Sequence, residues 1–214
     1  MPMRKDVLSV GEVYHVFSRS IAGFRIFTGD RDPQRMLMTL RYYRQKEAGT
    51  KFSRFLKYQD QFKQQNNDRL VDIIAYCLMP THIHLILRQL KEEGISTYMR
   101  KVLNSYARYF NTRYNRKGPL YEGRFRHVII ESDEQLYHLT RYIHLNPVTA
   151  HLTEMPEQWQ ASSYNEFILN CDNDEKLCTY SDLLDIHKEA YREFVMSRRD
   201  YQRELDKIKR LIIE

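Results

Sequence analysis

The chain has 214 residues, 42% hydrophobic and 29% charged, a composition that suits one globular core with an appendage. Its apolar runs are too short to span a bilayer, and its start, Met-Pro-Met-Arg-Lys-Asp, leads into no apolar signal stretch. Three cysteines (Cys77, Cys171 and Cys178) have no metal-type spacing and make an odd count, so the expected location is a reducing cytoplasm. The net charge of +6 is unevenly spread: residues 1–150 hold 25 Lys and Arg against 14 Asp and Glu, whereas residues 151–214 hold 9 against 14.

In chain order, Val13–Ser18 (VYHVFS) is β-branched and aromatic and predicts a first strand. Asp32 and Pro33 open a helix through about Lys46, with Met36, Leu37, Leu40 and Tyr43 as its apolar stripe. Residues 48–68 are polar, interrupted by Phe52, Phe55, Tyr58 and Phe62, and read as a partly helical insertion. Val71–Leu78 is nearly continuous apolar sequence, as a buried central strand requires. Met79, Pro80 and Thr81 break it, and His82–Leu87 forms the next strand.

After Gly94 a long helix is predicted from Ile95, Met99, Val102, Tyr106 and Phe110, ending in the turn Lys117-Gly118-Pro119. Residues 95–130 carry eight basic side chains against Glu122 alone. Such density can neutralise phosphates along a nucleic-acid backbone, and it is also what a solvated helix face presents. Arg124–Glu131 reads as a strand. Ser132 and Gln135 then have capping-box spacing, so a helix starts there and runs no further than about Asn146, because Pro147 follows. Beyond about residue 151 the chain is acidic, holds the only Trp (Trp159) and ends in a charged helical stretch from Lys188 to Leu211. Strands alternating with two long helices point to an α+β arrangement, an antiparallel sheet with helices on one face.

Two features carry chemistry. In His82-Ile83-His84, strand alternation points both imidazoles to one side, where they could supply two ligands to a divalent ion; histidines on a half-exposed strand face look the same. Four residues apart on the last predicted helix, Tyr142 and Asn146 share one flank. An amide oxygen can ligate a hard ion and a phenol can act as a nucleophile. A phenol titrating near ~10 needs a metal or a cation to react at neutral pH. With 16 tyrosines in the chain, helix geometry alone ranks Tyr142 little above Tyr106 or Tyr109.

The segment Ala75–Leu85 (AYCLMPTHIHL) resembles the metal-binding strand signature of the single-tyrosine HUH transposases. Asn104–Asn111 (NSYARYFN), Gly118–Arg126 (GPLYEGRFR) and Tyr142–Pro147 (YIHLNP) are similar to the REP-associated branch of that family. The likeness runs in register from Val13 to Leu152 and extends loosely to the tail around Tyr201–Leu205. It implies a ferredoxin-like antiparallel sheet flanked by helices over residues 1–152, with residues 153–214 as an acidic, mostly helical C-terminal extension. It further implies Mg²⁺ or Mn²⁺ held by His82, His84 and Asn146, and Tyr142 as nucleophile. The expected reaction is cleavage and rejoining of single-stranded DNA at hairpin-containing ends through a 5′-phosphotyrosine, by a monomer or homodimer. Arg19, Lys117, Arg124 and Arg126 are the expected DNA contacts. His138 falls near Tyr142 on the wheel, as a rival ligand or a plain hydrogen-bonding side chain. The competing readings are a relaxase or replication initiator and a domesticated protein that binds nucleic acid without cutting. Leu85–Leu90 contains no third histidine, and no second tyrosine follows Tyr142 by one turn.

Overall fold

The computed structural model describes residues 7–45, 52–57, 68–169 and 176–199. Most of the 48–68 insertion, Cys171 and the tail from residue 200 lie outside these residues. The strands are β1 (Val13–Arg19), β2 (Val71–Met79), β3 (His82–Gln89) and β4 (Arg126–Ile129). The helices are α1 (Arg31–Tyr43), α2 (Phe52–Lys57), α3 (Gly94–Arg113), α4 (Asp133–Thr149), α5 (Tyr164–Ile168) and α6 (Lys188–Met196).

The four strands form one antiparallel sheet in the order β2-β3-β1-β4. β2 and β3 meet in a two-residue hairpin at Pro80 and Thr81, where proline's missing N–H costs the ladder nothing. The hairpin tip is tied to the loop after β1: Ile26 N–H donates to the Pro80 carbonyl (2.8 Å) and Ser20 N–H to that of Thr81 (2.9 Å). All nine residues of β2 are buried, as are Ile83 to Leu87 of β3. A strand buried on both sides must be covered on both sides. The expectation of helices on one face is therefore corrected. α4 packs on β2 and brings Tyr142 over the face carrying His84, while α3 packs against β2 and β3 and carries α1. The β4 end of the sheet is open, with Arg126 and Val128 exposed.

β4 is shorter than predicted. α4 starts as predicted: Gln135 N–H donates to Ser132 Oγ (3.1 Å), although the Gln135 side chain reaches back to Glu131 N–H (2.7 Å) rather than to the cap itself. Its end is a correction, because the helix passes through Pro147 to Thr149. Proline removes its own N–H and crowds the carbonyl one turn back, but the turn after it still closes, with Ala150 N–H on Asn146 O and Leu152 N–H on Pro147 O, both 2.9 Å. Leu145, Pro147 and Val148 are buried there, so packing offsets the lost bond.

The acidic extension contributes short helices and a segment laid along the outer edge of β2. Leu78 N–H donates to Ala161 O (2.9 Å), Ser163 N–H to Tyr76 O (3.0 Å) and Thr179 N–H to Ile73 O (2.8 Å). Among the described residues no helix is long and apolar enough to cross a membrane. Cys77 and Cys178 are buried and unpaired as thiols.

Candidate active site and nucleic-acid interface

β3 pairs with β1 so that His84 lies opposite Phe17 and His82 opposite Arg19. Side chains two apart share a face, so His82 and His84 stand with His15, Phe17 and Arg19 on one side of the sheet. The two imidazole rings of the pair are 4.9 Å apart, edge to face. His84 is buried, and its Nδ1 hydrogen-bonds Nε2 of His15 at 2.9 Å with the rings nearly parallel. The Nδ1 of His82 is engaged by Thr81 Oγ1 at 3.0 Å. In both rings Nε2 is the nitrogen left for a further ligand.

Burial pushes His15 down to about 4, and burial with the nearby Arg19 cation takes His82 to about 4 as well. His84 is held well below the usual histidine range by burial, then by His82, His15 and Arg19. All three are therefore neutral at pH 7, the form in which an imidazole can ligate a metal.

α4 lies across this cluster. Tyr142 keeps 41% of its surface exposed, and its ring stands perpendicular to that of His84 with centroids 6.2 Å apart. One turn on, Asn146 is buried, and its Nδ2 has no hydrogen-bond partner. The unsatisfied group is the amide N–H, a donor, so it suits an acceptor such as a phosphate oxygen, whereas Oδ1 of the same amide is the atom that could ligate an ion. Among the described residues no three His, Cys, Asp or Glu side chains are grouped to hold a metal. The two imidazoles and the Asn146 amide oxygen are the donors that could hold a divalent ion here.

Arg19, Arg124 and Arg126 line one open cleft of about 410 Å³ with Phe17, Ser18, Glu122 and Gly123. Lys117 is exposed in the turn after α3 and lies outside that cleft. His138 bonds Arg141 through Nδ1 (2.8 Å) and stands against Phe194, with the C-terminal helix. His144 is fully buried between Tyr191 Oη (2.7 Å) and Ser163 Oγ (2.8 Å). His15 escaped the reading of the sequence. Its signal was present in the alternation His15-x-Phe17-x-Arg19, but only the β1–β3 register says which face that is.

The fold and these sequence segments together define a transposase, an enzyme acting on DNA. The chain belongs to the family described as Transposase IS200 like, whose model matches residues 36–146, more than half of its length. It is 27% identical over 121 residues to a protein of Haemophilus influenzae described as a REP-associated tyrosine transposase, covering 51% of this chain and 68% of that one. A solved REP-associated tyrosine transposase bound to a REP hairpin shares the fold, with a TM-score of 0.55, 16% identity and coverage of 88% of this chain and 96% of that one.

Proposed function

We propose that this transposase cuts and rejoins single-stranded DNA at hairpin-containing ends, with Tyr142 as the nucleophile. The observation that carries the reading is the exposed Tyr142 ring standing perpendicular to His84, within 6.2 Å of a cluster of neutral imidazoles. Hairpin ends are proposed because a relative of the same fold is bound to one.

The Tyr142 oxygen would attack the scissile phosphorus as its hydroxyl proton is lost. The bond to the 3′ oxygen breaks, leaving a 3′ hydroxyl and a 5′ phosphotyrosine. Attack of a 3′ hydroxyl on that phosphotyrosine reverses the step and returns the phenol, so one phosphodiester is exchanged for another. Arg19, Arg124 and Arg126 would hold phosphates beside the reacting group and stabilise charge on the phosphoryl oxygens. His82, His84 and Asn146 would hold Mg²⁺ or Mn²⁺, which when bound polarises the phosphate and favours the phenolate. The Nδ1 bonds to Thr81 and His15 would keep the two rings in the ligating tautomer.

The test is incubation with Mn²⁺ or Mg²⁺ and end-labelled hairpin DNA from the gene's own flanks. A covalent protein–DNA adduct should form and vanish in Tyr142→Phe. An adduct that survives this change would assign the nucleophile elsewhere, and binding without cutting would favour the domesticated reading. In a parallel titration, His82→Ala should bind Mn²⁺ more weakly; unchanged binding removes that ligand.

A further inference from the structure

On α4, His138 stands one turn before Tyr142, and Arg141 immediately precedes the tyrosine; the reaction above uses neither. Arg141 is not a loose surface cation. Its guanidinium lies 4.2 Å from the centroid of the Phe194 ring on α6, and that ring is itself packed on Tyr137 at 4.1 Å. One Arg141 N–H donates to His138 Nδ1 (2.8 Å), and the His138 ring also leans on Phe194, 5.5 Å away. A guanidinium only donates, so Nδ1 accepts and the imidazole carries its hydrogen on Nε2. The carboxylate facing that nitrogen, Glu134, is exposed and 3.8 Å away, beyond hydrogen-bond reach. Arg141 Nε is buried and, among the described residues, has no hydrogen-bond partner.

A second cation adjoins this group. Arg198 lies four residues beyond Phe194, in the turn that ends α6; burial, and then the Arg198 charge, push Arg141 below the usual arginine value. Two guanidinium groups brought together are what an incoming phosphate relieves, and the fixed aromatic platform aims one of them in advance. In-line displacement assigns the part of the DNA that passes here. Attacking and leaving oxygens lie on opposite sides of the phosphorus. Tyr142 attacks from α4, so the 3′ oxygen departs away from that helix, toward the sheet and the cleft of Arg19, Arg124 and Arg126. The arm that stays on Tyr142 through its 5′ phosphate keeps the α4 side. One helical turn, about 5.4 Å, separates Tyr142 from His138. That is one to two nucleotides at about 3.4 Å of rise each.

We propose that Arg141, with His138 Nε2 and Arg198, forms a phosphate site for the covalently retained arm, one to two nucleotides beyond the phosphotyrosine. It rests on the cutting reading above and adds to it where the attached strand lies while a 3′ hydroxyl returns. A strand held there keeps the phosphotyrosine in line for rejoining.

The experiment first maps the cut on the labelled flanking hairpin with Mn²⁺. It then measures the rate of adduct formation on DNAs that end one, three or five nucleotides 3′ of the cleaved phosphate. For the parent protein the rate should rise about 10-fold from the shortest DNA to the longer two, the worth of one hydrogen bond to a charged group. Added salt should shrink that rise. Arg141→Gln should lose most of the rise, and Arg141→Lys, which keeps the charge without the fork, should recover part of it. Thermal melting confirms that both variants are folded, and loss of helix packing alone would not depend on the length of the DNA arm. A parent indifferent to arm length, or an Arg141→Gln protein that keeps the full rise, would overturn the site. Failure of the cutting reading shows separately: no Tyr142-dependent adduct forms on any of the DNAs, and the retained arm falls with it.

Discussion

His84 has two ring nitrogens, and the one that faces His15 determines what the other can do. With the 2.9 Å contact between neutral rings, one nitrogen carries the hydrogen and the other accepts it. If His84 Nδ1 is the donor, its Nε2 bears a lone pair and the ring is held for ligation. His15→Leu should weaken Mn²⁺ binding about 10- to 100-fold, the range for losing such a partner. His15→Gln, which can still accept at that position, should recover most of it. Calorimetric titration checks this, and a His15→Leu protein with full affinity would leave His15 as packing. The sequence showed the His82–His84 pair because the strand period is local. It hid His15, because cross-strand register is set by contacts between segments 69 residues apart. Tyr142 was one of 16 tyrosines, and no local pattern reports that α4 crosses the sheet at His84.

α4 shows how an element can be read at its start and misread at its end. Ser132 and Gln135 act within one turn, so the cap was legible; continuation through Pro147 depends on what is packed around it. The same packing contains a polar clamp. Ser163 Oγ accepts from Tyr76 N–H (2.9 Å) and can donate to Tyr76 O (3.2 Å), so His144 is best satisfied with its hydrogen on Nε2 toward Ser163 and Nδ1 accepting from Tyr191. This fixes the rotation of the helix that carries Tyr142 and Asn146. Replacing the imidazole by a ring of similar size, His144→Phe, should cost about 1–3 kcal/mol at pH 7, the usual penalty for leaving buried partners unsatisfied. The pH dependence carries a sign. Burial lowers His144 to about 3, so below the ordinary histidine value of 6.5 the unfolded chain binds a proton that the folded chain refuses. Stability is therefore lost as pH falls from about 6.5 toward 3, and part of that loss belongs to His144. Urea midpoints at pH 7 and pH 5 should show the gap between His144→Phe and the parent narrowing at pH 5. A constant gap would mean that the ring does not resist protonation in the fold.

At the scale of the molecule, the charge partition near residue 151 was plain in the sequence, and it invites a picture of a catalytic unit with an acidic appendage. The main-chain bonds join the two. Residues 161–163 and 179 satisfy the outer edge of β2, and Trp159 Nε1 donates to Leu78 O (3.1 Å). No side-chain pattern announces this, because most of the covering segment is irregular and bonds through its backbone. β2 is apolar except for Asp72, and uncovered it would offer an unpaired, hydrophobic edge of the kind that aggregates. The extension also buries Tyr164, Phe167, Leu177, Leu184, Tyr191 and Val195. Large apolar side chains contribute about 1.5–3 kcal/mol each on burial, so half a dozen rival the ~5–15 kcal/mol by which a domain is stable. A chain ending at Leu152 should therefore lose its cooperative melt and elute from a sizing column as aggregate. Ser163→Ala in the full chain should only lower the melting temperature by a few degrees, through the lost bonds to Tyr76 and His144. If the shortened chain instead elutes as a monomer with the parent's melting temperature, the β2 edge is stable without its cover, and residues 1–152 form a self-sufficient unit.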